Sequence, residues 1–133
     1  MATPFDEDGA VDIDGAVALA QWLVDHGNDG LVVTGTTGEG PTLRDDEKYE
    51  LWRAVSAAVT VPVIAGSGSN DTHHTVEATR EAVRCGVAGV LALVPYYNRP
   101  SQAGIAAHIT AAAEAAGNLP VMVYDIPVRT GMS

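Results

Sequence analysis

Apolar residues cluster in four short runs, "GLVVTG" (30–35), "VPVIAG" (61–66), "GVLALVP" (89–95) and "LPVMVYD" (119–125), which recur about every thirty residues. Each run is rich in β-branched residues and shows no apolar/polar alternation. That pattern predicts parallel strands buried on both faces. Between the runs the spacing changes to that of helices. Ile13, Val17, Ala20, Leu23 and Val24 fall on one face, and Gly27 closes that helix.

A second helix is expected from "TLRD", with Thr42 as its cap and Asp45 at the reciprocal position, burying Leu51, Trp52, Val55, Ala58 and Val59. A third follows "SND" (69–71), turns Val76, Thr79, Ala82 and Val83 inward and stops at Gly86. A fourth starts at "PSQ" (100–102), carries Ile105, Ile109, Ala112 and Ala116, and ends at Gly117.

Alternating strands and helices of this size predict a parallel α/β architecture. Two forms compete, an open doubly wound sheet and a closed (β/α)8 barrel. A barrel needs about 250 residues, so 133 supply about half of one. The start, "MATPFDEDG", reads as a loop that should follow a strand. The end lies in the loop after "VMVYD". The expectation is a single domain over 1–133, part of something longer.

Composition narrows the partners. Seventeen acidic residues against seven basic ones give a net charge of −10, which opposes nucleic acid and anionic membranes as partners. The mean hydropathy of +0.10 and the absence of a long apolar run or signal-like start suit a cytoplasmic globular protein. Cys85 is alone, so no internal disulfide forms, and core packing is its expected role. His73 and His74 are adjacent and diverge by about 100° on a helix. His26 and His108 lack neighbours at ligand spacing, so no metal site is expected.

The strand ends are where parallel α/β folds place their chemistry. Here they run into "TGTTGEGPT", "GSGSN", "YYNRP" and "YDIPVRTG", a convergence of hydroxyls, phenols, an amide and arginines. No nucleotide motif is present, since "GTTGEG" lacks the phosphate-loop lysine and "GSGSN" falls short of GxGxxG. Each residue also has an ordinary reading. Thr36 and Thr37 can cap a turn, Tyr96 and Tyr97 can pack the rim, and Arg129 can be a solvated charge. Four polar strand ends in succession weigh against that reading.

Taken in order, "GTTGE" (35–39), "PYYNRP" (95–100) and "YDIPVRTG" (124–131) resemble the motifs of the dihydrodipicolinate synthases, a pyruvate-dependent class I aldolase-like family. The resemblance covers essentially the whole chain, from "TPFDEDG" onward. It implies a (β/α)8 TIM barrel, here from the first helix to the fifth strand, joining pyruvate to aspartate semialdehyde in lysine biosynthesis. The chemistry it implies is a lysine imine with pyruvate, with no separate cofactor. The iminium acidifies the pyruvate methyl, and hydroxyls pass protons without a permanent charge.

By position, the resemblance makes Tyr124 the principal proton donor and acceptor, with Thr36 and Tyr97 completing its relay. Tyr97 would come from the neighbouring subunit of a homo-oligomer, a tetramer in the family. Thr37 would hold the pyruvate carboxylate through its hydroxyl and N–H. Arg129 would grip the semialdehyde carboxylate in two-pronged fashion.

N-acetylneuraminate lyases and keto-sugar-acid lyases form the nearest alternative, and they resemble the chain less in "PYYNRP" and "RTG". A non-catalytic half-barrel that binds carboxylates or mediates assembly is the alternative of another class.

Three departures stand out. Asp125 replaces the family's usual Asn. Gly40, Asp45, Lys48 and His74 differ from the lysine-sensitive pattern, although Asn70 and Tyr96 match it. The imine lysine, expected one repeat beyond Tyr124, is absent from these 133 residues. The sole lysine, Lys48, is expected on the outer side of the second helix, solvated and facing away from the rim. The chain by itself is therefore expected to be inactive.

Overall fold

The computed structural model describes residues 1–131, so Met132 and Ser133, the last two residues of the expected domain, lie outside the described residues. The elements are α1 (Ile13–Asp25), β1 (Leu31–Val33), α2 (Asp45–Ala58), β2 (Val63–Ala65), α3 (Thr72–Arg84), β3 (Gly89–Leu93), α4 (Gln102–Ala116), β4 (Val121–Tyr124) and the single turn α5 (Pro127–Thr130). Two 3-10 turns, Thr36–Gly38 and Gly40–Thr42, bridge β1 and α2. No described helix is long and apolar enough to cross a membrane.

All strand pairs are parallel and the sheet order is β1-β2-β3-β4. A doubly wound sheet reverses its strand order at a switch point. The sequential order here is that of a barrel wall. Each strand lies inside the apolar run that predicts it.

Helix starts follow local chemistry. The Asp12 carboxylate accepts Gly15 N–H at 2.9 Å, Asp71 accepts His73 N–H at 2.8 Å, and Ser101 Oγ accepts Gly104 N–H at 3.2 Å. The expected cap of α2 needs correction. Thr42 belongs to the preceding 3-10 turn, where its hydroxyl donates to Glu39 O at 2.9 Å. The cap position falls two residues later, at Arg44, whose N–H the Glu47 carboxylate accepts at 2.8 Å.

The core gathers Leu31, Val33, Leu51, Trp52, Val55, Val63 and Val90 with the small faces of α1 and α3. Leu51, Trp52 and Val55 are fully enclosed, and truncating Leu51 or Trp52 to Ala costs about 2–5 kcal/mol. α3 is rotated from the expected face. Thr75, Ala78, Thr79 and Ala82 point inward, while Val83 stands 41% exposed. Thr79 is satisfied by Ser67, with the two hydroxyl oxygens 2.9 Å apart. The burial expected for the last strand also fails, since Met122, Val123 and Tyr124 on β4 are about half exposed. Among the described residues β4 pairs with β3 alone, and α4 packs against it.

His108 is buried on α4, and its Nδ1 lies 2.8 Å from the Thr72 hydroxyl at the start of α3. Burial holds its imidazole below the ordinary histidine value of 6.5, against the opposing pull of the Leu93 backbone and Asp71. The fold thus favours neutral His108, and this contribution is complete above pH 6.5 and lost as pH falls toward the depressed folded value. Urea midpoints measured from about pH 8 to 5 should fall on the acid side. The fall should be smaller in His108→Gln; an unchanged slope would assign it to other groups.

Candidate active site

β1 is followed by Thr34, whose φ of +59° turns the chain sharply into Gly35 and the Thr36–Gly38 turn. The close fit explains the glycines around it. A Cβ on Gly66 would stand 2.5 Å from the Thr34 carbonyl oxygen, and one on Gly40 would overlap the same atom. Gly40, Gly66 and Gly68 are therefore glycine because backbone meets backbone there.

Two adjoining clefts open at the strand ends, of about 260 and 130 Å³. The first is lined by Thr36, Lys48, Ser69, Asn70, His74, Tyr96 and Tyr124, among others. The second is lined by Thr36, Leu93, Tyr96, Tyr124, Ile126, Arg129 and Thr130, among others. Thr36, Tyr96 and Tyr124 face both, so a hydroxyl from β1's loop, one from β3's end and one from β4's end share a single space.

Of the residues singled out by sequence, Thr36, Tyr124 and Arg129 thus come together. Thr37 and Tyr97 line neither cleft. Thr37 is exposed at the head of its turn, and Tyr97 is 87% exposed with φ +68°. Tyr97 points outward from a loop that is well held. Its N–H donates to Arg129 O at 3.2 Å, and Asn98 Nδ2 donates to Asn70 O at 2.7 Å while Asn70 Nδ2 returns a bond to Asn98 Oδ1 at 3.2 Å.

Lys48 is the main correction. Its side chain is only 13% exposed and lines the first cleft rather than the outer surface. It reaches the Asp45 carboxylate at 3.4 Å, and Asp45 also holds His74 Nε2 at 2.9 Å. His74 Nδ1 lies 3.4 Å from Ser69 Oγ. Partial burial pushes the Asp45 carboxyl up, but the hydrogen bond and charge of His74, with Lys48, outweigh it and hold the group below its ordinary value. The acidic run "DDEK" suggested solvation. The partner that draws this cluster inward, His74, is 29 residues from Asp45, and no local signal shows that pairing.

Chemically the rim offers hydroxyls that accept and donate at neutral charge, a guanidinium beside them, and a lysine already engaged by a carboxylate. Among the described residues no three His, Cys, Asp or Glu side chains gather in a way that could hold a metal ion. Cys85 is buried, with Sγ 3.6 Å from Tyr49 O, and burial raises its thiol pKa.

Comparison with known proteins agrees with this geometry. A curated relative from Acidothermus cellulolyticus, named 4-hydroxy-tetrahydrodipicolinate synthase, is 58% identical over 98% of this chain and 43% of its own length. The solved dihydrodipicolinate synthase of Cyanidioschyzon merolae with lysine bound has a TM-score of 0.96 and 48% identity, covering 100% of this chain and 46% of that one. The chloride-inhibited enzyme of Acinetobacter baumannii, complexed with pyruvate, has a TM-score of 0.93 at 36% identity, over 100% of this chain and 46% of that one. The chain therefore spans less than half the length of these relatives, the N-terminal part of their TIM barrel. The dihydrodipicolinate synthetase family matches residues 1–133 from end to end, and the chain belongs to that family.

Proposed function

We propose that this chain supplies the proton-relay and carboxylate-binding rim of a cytoplasmic 4-hydroxy-tetrahydrodipicolinate synthase, a lyase that condenses pyruvate with aspartate semialdehyde. The observation that carries this reading is the shared space in which Thr36 and Tyr124 face each cleft while Arg129 lines the second. Tyr124 moves the protons, with Thr36 behind it. Tyr97, projecting from its tethered loop, completes the relay in a neighbouring subunit of a homo-oligomer. Thr37 holds the pyruvate carboxylate and Arg129 that of the semialdehyde. The pyruvate complex of the Acinetobacter relative supports the first substrate.

Imine formation needs an amine with a free lone pair. Lys48 Nζ serves Asp45 as an ion-pair donor, so the imine is assigned to a lysine outside these residues. Borohydride reduction of the 133-residue chain with pyruvate should leave its intact mass unchanged. A stoichiometric pyruvyl adduct that disappears in Lys48→Arg would make Lys48 the imine lysine and the chain a self-sufficient enzyme.

The rim itself is tested in a chimera that joins these residues to the C-terminal portion of the Acidothermus relative. Losing a charge-assisted carboxylate clamp costs about 2–5 kcal/mol when it is buried by substrate. Arg129→Ala should therefore raise the KM for the semialdehyde by about thirtyfold or more and leave trapping of the pyruvate imine intact. An unchanged KM would withdraw the semialdehyde assignment and bring forward a sugar-acid aldehyde partner.

A further inference from the structure

Thr34 is β-branched yet sits in the left-handed backbone region at φ +59°, a conformation that persists only where surroundings enforce it. Its hydroxyl donates to Val33 O at 2.7 Å, with Gly66 O also in reach at 3.3 Å. The same oxygen accepts the indole N–H of Trp52 at 2.8 Å. Trp52 lies on α2 with no exposure at all. Its rings alone fill the core, but its buried N–H requires an acceptor and finds one at the strained residue.

The turn that follows is closed by Gly38 N–H to Gly35 O at 3.0 Å and Glu39 N–H to Thr36 O at 3.1 Å, and Thr3 Oγ1 donates to Gly38 O at 2.7 Å. The first two bonds shape the turn, and the third ties its far end to the N-terminal segment. The near end departs from β1 at Thr34.

We propose that Trp52 and Thr34 are positioning residues for the Thr36–Thr37 turn, the indole–hydroxyl bond locking the left-handed backbone from which the turn departs. The consequence for the reaction rests on the reading of Thr36 and Thr37 given above, whereas the consequence for the turn does not.

Amide hydrogen exchange on the full 133-residue chain tests it. Thr34→Val keeps the branched shape and removes the oxygen, Trp52→Phe removes the N–H, and Thr34→Ser keeps the oxygen. Exchange at residues 36–40 should rise about tenfold in the first two, relative to β2 and α3, and stay near wild type in the third. Where Thr34→Val fails to fold, Trp52→Phe and Thr34→Ser decide. An unchanged rate at 36–40, or a rise spread evenly over β2 and α3, overturns the proposal.

In the chimera, Thr34→Val should lower kcat/KM for pyruvate about tenfold and Thr34→Ser less than about twofold. An unaltered kcat/KM despite local loosening overturns the positioning role. A wild-type chimera that traps no pyruvate imine overturns the proposed function instead, and the exchange result stands apart from it.

Discussion

Tyr124→Phe is expected to lower kcat in the chimera by about 10²–10⁴-fold, the range that a positioned proton donor contributes. The substitution removes one oxygen and leaves the ring on β4, where Tyr124 pairs with Leu93 in the sheet register. The aromatic wall shared by the two clefts is kept, so substrate binding should change far less than turnover. Such a split, with kcat falling and KM nearly constant, is what loss of a transition-state interaction gives. Steady-state kinetics with both substrates decide it. A kcat within about threefold of wild type would remove Tyr124 from the relay and leave it as rim packing.

Gly66→Ala should cost more than about 3 kcal/mol of stability and abolish turnover in the chimera. The added methyl would lie 2.5 Å from Thr34 O, 2.8 Å from Thr34 C and 3.1 Å from Gly35 N. All three are backbone atoms at the point where β1 becomes the turn, so no side chain can swing away. Gly86 offers the control. It has φ +79° and nothing within 4 Å of the place a methyl would take, so Gly86→Ala should cost only about 1–2 kcal/mol of left-handed strain. Urea midpoints of the two variants make the comparison. Gly66 itself has no left-handed φ, so equal losses would show that the backbone yields to the methyl and that close approach does not select glycine there.

The strands were legible because unbroken β-branched runs have few other uses. "VPVIAG" contains Val63–Ala65, and "GVLALVP" contains Gly89–Leu93. Helix positions were equally plain, but their rotation was not. On α3 the expected Thr79 and Ala82 do face inward, but Thr75 and Ala78 join them in place of Val83, and hydropathy gives little weight to a small residue or to a hydroxyl satisfied elsewhere, as Thr75 is by the Ser69 N–H. Thr42 looked like a cap because its type and spacing fit. The 3-10 turn took its hydroxyl first.

At the site, Thr36, Tyr124 and Arg129 were visible because strand ends are sequence-local features. The inward turn of Lys48 was not. It depends on the rotation of α2 and on His74 reaching Asp45 from another repeat. Tyr97 and Thr37 lie in the same strand-end segments, but the clefts of one chain do not take them in.

The backbone bond from Tyr97 to Arg129 carries a mechanical consequence. The loop bearing the outward phenol is fastened to the short helix bearing the guanidinium, and its neighbour Asn98 is fastened to the loop after β2. Any tilt of α5 is transmitted to the base of Tyr97 as a lever. The backbone seat of Arg129 thus fixes where the exposed phenol leaves the loop, so a shift of α5 re-aims a side chain on the opposite side of that bond.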